Sequence, residues 1–246
     1  MRRLALFSLL FACTTANGET PKMERDGFTS SRGVDEAPLV VELFTSQGCS
    51  SCPPADKLLD NLARDGALAG RPLAPLSFHV DYWDDLGWPD PFALPAWTER
   101  QSEYARALGD RSVYTPELVV GGRVGLVGSN ASRAAQAIAS APRQIKIAAT
   151  AKWTKDSVTI EAKAPDGADV IVAIWQDGTK TKVPRGENAG TTLTNDRVVR
   201  RLERVAVAGK PGAKTIKIDP SWGAVGAVAF AQKSDRSIVG AALLPR

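Results

Sequence analysis

The chain has 246 residues, 43% of them hydrophobic and 24% charged, with a formal net charge of +4. That length can bury one large core or two ordinary ones, and the composition is that of a soluble globular protein. Three cysteines are too few for a disulfide scaffold, and no apolar run after the N-terminus is long enough to span a bilayer.

Charge is unevenly placed. Residues 1–142 carry 13 Lys and Arg against 17 Asp and Glu, while residues 143–246 carry 18 against 10. The asymmetry suggests two units with different surfaces. The basic residues are spread along strands with few aromatics between them, so no nucleic-acid partner is expected.

Arg2 and Arg3 precede an apolar run from Leu4 to Ala12, which together read as a secretory signal over residues 1–16. Cys13 leaves two readings open. Leu10-Phe11-Ala12-Cys13 is close to a lipoprotein box, with Phe11 off pattern and Cys13 the lipidated residue. Thr14-Thr15-Ala16 instead offers small residues for ordinary cleavage, which discards Cys13. The polar segment 17–37 suits a flexible linker. Export places the protein in a bacterial envelope, periplasmic or lipid-anchored, where disulfides persist.

The apolar run Leu39–Phe44 then leads through Thr45-Ser46-Gln47-Gly48 to Cys49-Ser50-Ser51-Cys52, followed by an amphipathic stretch with Ala55, Leu58, Leu59 and Leu62 at helical spacing. A strand, a turn, Cys-x-x-Cys and a helix form the order that disulfide exchange needs. Cys49 at the helix N-terminus is placed to attack as a thiolate, and Cys52 one turn along is placed to resolve a mixed disulfide. Glu42 is the only charge in its strand. His79, the sole histidine, ends a strand over 73–80, with Asp81 beyond it; both are auxiliary candidates, and a packed, hydrogen-bonded histidine is the preferred reading. An aromatic and acidic loop follows, and a helix is predicted over 91–108 and ended by Gly109. Glu117–Val120 and Arg123–Val127 form a hairpin around Gly121-Gly122, and a last helix is capped by Ser129 or Asn130.

From residue 143 the pattern becomes short alternating strands separated by turns such as Pro165-Asp166-Gly167, which argues for an antiparallel β-sandwich. The expected architecture is therefore an α/β unit over 38–142 followed by an all-β unit over 143–246.

The β-α-β-α-β-β-α order, with Cys49-x-x-Cys52 at the first strand–helix junction and Thr115-Pro116 just before the hairpin, resembles the thioredoxin superfamily. The resemblance implies a cis Pro116 facing the cysteines, and a Thr115 whose backbone edge pairs with an extended substrate. It also implies a buried acid that takes the resolving cysteine's proton, for which Glu42 is the candidate, with one extra residue in the intervening loop. More narrowly, Val41–Cys49, Phe78–Trp83 and Arg185–Gly190 resemble an exported bacterial family known only as domain of unknown function 1223. Arg185-Gly186-Glu187-Asn188 is read as a turn that could dock on the first unit or bind a ligand. The expected function is thiol–disulfide exchange with envelope proteins and an unidentified redox partner, without a cofactor or resident metal. Two alternatives stand beside it: a copper or zinc carrier using Cys49, Cys52 and His79, and a non-enzymatic interaction module.

Overall fold

The structure, a computed structural model, describes residues 36–246. The stretch read as a secretory signal, the candidate lipidation residue Cys13 and nearly all of the expected linker lie outside the described residues. Among those described, no helix is long and apolar enough to cross a membrane.

In chain order the elements are β1 (Leu39–Thr45), α1 (Pro53–Asp65), β2 (Ala67–Leu68), β3 (Arg71–His79), α2 (Pro95–Leu108), β4 (Glu117–Val120), β5 (Val124–Val127) and α3 (Ala131–Ser140). Then come β6 (Ile145–Lys146), β7 (Ala149–Trp153), β8 (Ser157–Lys163), β9 (Asp169–Gln176), β10 (Thr179–Lys182), β11 (Thr192–Asn195), β12 (Val198–Ala206), β13 (Pro211–Lys217), β14 (Val225–Gln232) and β15 (Ile238–Leu244).

β1 is buried along its whole length, as expected of a strand covered on both faces. It runs parallel to β3 and antiparallel to β4. Alternation sends Leu39, Val41 and Leu43 to the face covered by α1 and α3, and Val40 and Phe44 to the face covered by α2. α1 opens on Pro53 and stops at Gly66, whose φ of 66° supplies the left-handed cap. α2 begins at Pro95, later than the predicted 91, because a proline seats most easily in the first turn of a helix.

The central sheet has the order β5-β4-β1-β3-β12-β9-β14-β15-β6. It does not break at residues 142–143. β12 from the second half lies parallel to β3 from the first, with Val198 opposite Ser77, and the Ser77 amide donates to the Arg197 carbonyl at 2.8 Å. All described residues fall in one compact unit. The β9–β14 part of this sheet packs against a three-stranded sheet, β13-β8-β7, over a core that includes Val158, Ile160, Val172 and Ala229. The α2-side core also draws on both halves, joining Phe44, Phe78 and Tyr104 to Val199, Val228 and Phe230. At the tight turn after β4, a Cβ on Gly122 (φ 67°) would sit 2.1 Å from the Arg236 carbonyl oxygen, so glycine permits this second seam between the halves.

Candidate functional site

Cys49 and Cys52 are joined by a disulfide at the head of α1. They lie just beyond the carboxyl ends of the parallel strands β1 and β3, where open α/β sheets build their sites. Cys52 is the N-cap residue, and its carbonyl accepts from the Ala55 and Asp56 amides at 2.8 and 3.1 Å. Both cysteines are fully buried, while Ser50 and Ser51 between them are exposed.

The Thr115–Pro116 peptide bond is cis. Two contacts tie this loop to the cysteine turn. A Cβ on Gly128 would meet both Ala55 and Pro116, at 3.2 and 3.3 Å, so the proline lies against the first turn of α1. Trp83 packs its Cβ against Gly48 and donates its indole N–H to Thr115 Oγ1 at 2.8 Å. Trp88 donates to Gln47 Oε1 at 3.3 Å. Tyr82 and Trp97, the other aromatics considered for a wall near the thiols, bond to Gln101 and pack against Phe78 respectively.

The Arg185–Asn188 turn closes over the cysteine loop. It joins β10 to β11, a hairpin separate from the two larger sheets. Asn188 Nδ2 donates to the carbonyls of Gln47 and Cys49 at 2.9 and 3.0 Å. Glu187 Oε2 accepts from the Ser50 amide at 3.0 Å. Gln47 Nε2 reaches back to Thr181 Oγ1 and Asn195 Oδ1 of the hairpin. Gly186 has a φ of 83°, and a Cβ there would press on Trp88 at 3.1 Å.

Glu42 is not at the cysteines. As an even-numbered residue between Val40 and Phe44 it points to the α2 face, opposite the helix that carries Cys52. There its carboxylate accepts from Arg100 Nε at 2.8 Å and from the Tyr104 hydroxyl, and Gln232 completes the network through Arg100 and Tyr104. The residue counted as extra in the loop lengthens the spacing by one, and a shift of one residue in a strand changes the face. Asp81 is also elsewhere: it accepts from Thr98 Oγ1 at 2.5 Å, in the first turn of α2.

The acid on the cysteine side is Asp56, one helical turn after Cys52 and on the same helix face. It is buried, and that burial pushes its carboxyl up to about 7, with His79 partly offsetting the effect. His79 is buried too, its Nδ1 2.7 Å from Asp90 Oδ2. Burial pulls the imidazole down, but Asp90 outweighs it and raises the pKa. Asp90 also accepts from the Gln47 and Phe92 amides at 2.7 and 2.9 Å. Burial alone would push Asp90 up; His79 and these amides hold it below the ordinary carboxylate range. Among the described residues, no group of three His, Cys, Asp or Glu is arranged to hold a metal ion.

Two of these groups set a pH dependence. Asp56 and Glu117, the latter beside Pro116, are both raised to about 7, chiefly by burial. A raised acid binds more protons folded than unfolded, so its stabilisation is full below the ordinary carboxyl pKa and is lost as pH climbs to about 7. His79, also raised, acts in the same direction above the ordinary imidazole value. Urea unfolding should therefore show stability falling between about pH 4 and pH 7, with Asp56 contributing on the order of 4 kcal/mol. Asp56→Asn should flatten that slope; an unchanged slope would assign it to other groups.

The comparisons with known proteins place the chain in a family but not in a pathway. Residues 40–232 match the family described as "Protein of unknown function (DUF1223)". The chain belongs to the DUF1223 family. A crystal structure of an Agrobacterium tumefaciens protein is similar over 86% of this chain and 96% of its own, with 34% identity and a TM-score of 0.66. HBP35 of Porphyromonas gingivalis covers 87% of this chain and 76% of its own at 13% identity and a TM-score of 0.58, a likeness of fold alone. No curated protein matches. The DUF1223 stretches singled out in the sequence, Val41–Cys49, Phe78–Trp83 and Arg185–Gly190, all contribute to the one site.

Proposed function

We infer that this DUF1223 protein is an exported thiol–disulfide oxidoreductase with a thioredoxin-like catalytic half. The observation that carries this reading is the Cys49–Cys52 disulfide at the head of a buried helix, with a buried acid one turn below it. A bridge between residues three apart constrains little unfolded chain, so stability is a poor reason for it. A helix N-terminus stabilises a thiolate at Cys49, and the second thiol stands ready to resolve. The parallel β1–β3 pair, the antiparallel β4–β5 hairpin and the helices on both faces support the thioredoxin-like assignment. The Thr115 edge, beside the cysteine turn through Trp83, suits an extended segment of a protein substrate. The charged and apolar leader at residues 2–12 supports export to a compartment where disulfides persist.

Trapping tests the reading. Cys52→Ser, mixed with a peptide that carries an accessible intrachain disulfide, should accumulate a covalent adduct on Cys49 that a reductant releases. Cys49→Ser should accumulate none. Equal failure of the wild type and both variants to exchange with the peptide would sink the redox assignment.

A further inference from the structure

β12 carries two consecutive arginines at a bulge. Val199 lies opposite Trp175 of β9 and Arg201 opposite Ile174, which leaves Arg200 as an extra residue between them. Neighbouring side chains of a regular strand point to opposite faces, but a bulge re-aims one of them. Here the guanidinium carbons of Arg200 and Arg201 lie 5.2 and 5.1 Å from the centre of the same Trp222 ring. Trp222 ends a short helical turn over Pro220–Trp222 and is buried, so its indole forms a floor. Phe92, 5.2 Å from the Arg200 guanidinium, forms a wall. Past Val198 no described strand pairs with β12 on its β3 side, so the two arginines stand at an open edge.

The charge at this edge is unbalanced. Arg200 is half-buried, and its guanidinium makes no hydrogen bond or ion pair with the described residues. Arg201 donates to the Arg200 carbonyl at 2.9 Å and has no carboxylate partner among them. Two acids face Arg200, Asp219 and Asp90, without reaching ion-pair contact. Asp219 accepts from the Ser221 amide at 2.9 Å, and Asp90 is taken by His79 and the Gln47 and Phe92 amides. Burial, and after it Arg201, pull the Arg200 pKa below its ordinary value, yet a guanidinium stays charged in any solution that keeps the protein folded. An indole face attracts a cation, but it supplies no acceptor lone pairs for the N–H donors of two guanidiniums.

We propose that Arg200 and Arg201 form a binding site for a phosphate dianion, free or as a terminal monoester, seated over Trp222 between the two guanidiniums. A carboxylate is matched in full by a single arginine fork. A phosphate dianion has oxygens enough for both forks and a charge that balances both arginines. The site touches none of the sulfurs, but one ring couples it to the cysteine turn. Phe92 stands edge-on to His79 with centroids 5.4 Å apart, and its amide donates to Asp90, which also accepts from the Gln47 amide. Burial and Arg200 pull the His79 pKa down, against Asp90 and Asp56, which raise it. A dianion beside Arg200 cancels part of that pull, so the sole histidine of the chain reports on the site.

Titration calorimetry with inorganic phosphate at constant ionic strength tests the site. Wild-type protein should bind with a Kd on the order of 1 mM, the strength of a few charge-assisted hydrogen bonds at an open edge. Arg200→Gln and Arg201→Gln should each weaken binding by about tenfold or more. Arg201 is exposed, so its variant keeps the fold and decides the matter if Arg200→Gln does not. Proton NMR of His79 then places the ligand. Saturating phosphate should raise the His79 pKa in the wild type and leave it unmoved in Arg200→Gln. An equal rise with sodium chloride at the same ionic strength would mean screening alone and overturn the site. Undiminished binding in both variants would put the phosphate elsewhere, and an absence of saturable binding would end the proposal. Glycerol phosphate, a monoester, should displace inorganic phosphate. Binding confined to phosphatidylglycerol vesicles would overturn the dianion assignment and make the arginine pair a membrane contact.

Discussion

Arg100→Ala should be among the most damaging single substitutions in this protein, lowering its stability by about 3–5 kcal/mol. The Arg100 side chain is 4% exposed and that of Glu42 is 0% exposed. Removing the guanidinium strands a carboxylate in a core of Phe44, Phe78 and Tyr104, where nothing but the Tyr104 hydroxyl remains to hold it. Arg100 also donates to Gln232 and lies 5.1–5.6 Å from the rings of Phe78, Tyr104 and Phe230, so its loss removes packing as well. Glu42→Gln should cost less, because the arginine keeps its Gln232, Tyr104 and ring contacts. Glu42→Leu combined with Arg100→Met should be more stable than Arg100→Ala alone, since an apolar pair of similar volume avoids the stranded charge. Urea unfolding of the set checks the order. Folded Glu42→Gln should exchange disulfides at the wild-type rate, because its side chain lies on the face away from the cysteines; a slowed closing step would restore it as a proton carrier.

The second large effect concerns access to the sulfurs. Cys49 is fully buried, and the segment between β10 and β11 is bonded to the backbone of its turn, so withdrawal of that segment is the expected route of access. Asn188 holds that segment down by satisfying two backbone carbonyls of the cysteine turn. Asn188→Ala leaves both carbonyls without this donor while the segment is closed, and water satisfies them once it opens. At about 2 kcal/mol lost from the closed form alone, the open population should rise about thirtyfold. Alkylation of reduced Cys49 by iodoacetamide should accelerate by that factor. Glu187→Gln should accelerate it far less, since Glu187 is exposed and a neutral amide oxygen still accepts from the Ser50 amide. An alkylation rate unchanged by Asn188→Ala would mean that the segment does not limit access.

How far the molecule could be read from its residues depended on how local each signal was. The strand, the cysteine turn and α1 are written in consecutive residues: an apolar run, then Pro53 at the helix start and Gly66 at its stop. The tight turn at Gly121-Gly122 and the Asn130 cap are local in the same sense. Asp56 escaped notice because it sits among Ala55, Leu58 and Leu59, where the helical stripe drew attention to its apolar neighbours. A signal was present, namely an acid four residues after the second cysteine, on the face that must be buried. Glu42 was misplaced by one residue of register, which no composition or periodicity reveals. Asp90 becomes a buried ion-pair partner only through Gln47, forty-three residues away, and His79. The docking of Asn188 on the cysteine turn spans about 140 residues, a distance over which sequence pattern carries no information.

The parallel contact between β3 and β12 has a consequence for any attempt to divide the molecule. A chain cut at residue 142 would leave β3 as a bare margin, with the Ser77 amide and its neighbours open to whatever strand drifts past. The residues on that margin are buried and largely apolar, and with Pro72, Pro75 and the β2 pairing at its start, the stretch around Ser77 is the part left open to docking. The isolated first half would thus offer other copies of itself a template for growth, and the second half serves as its permanent cover.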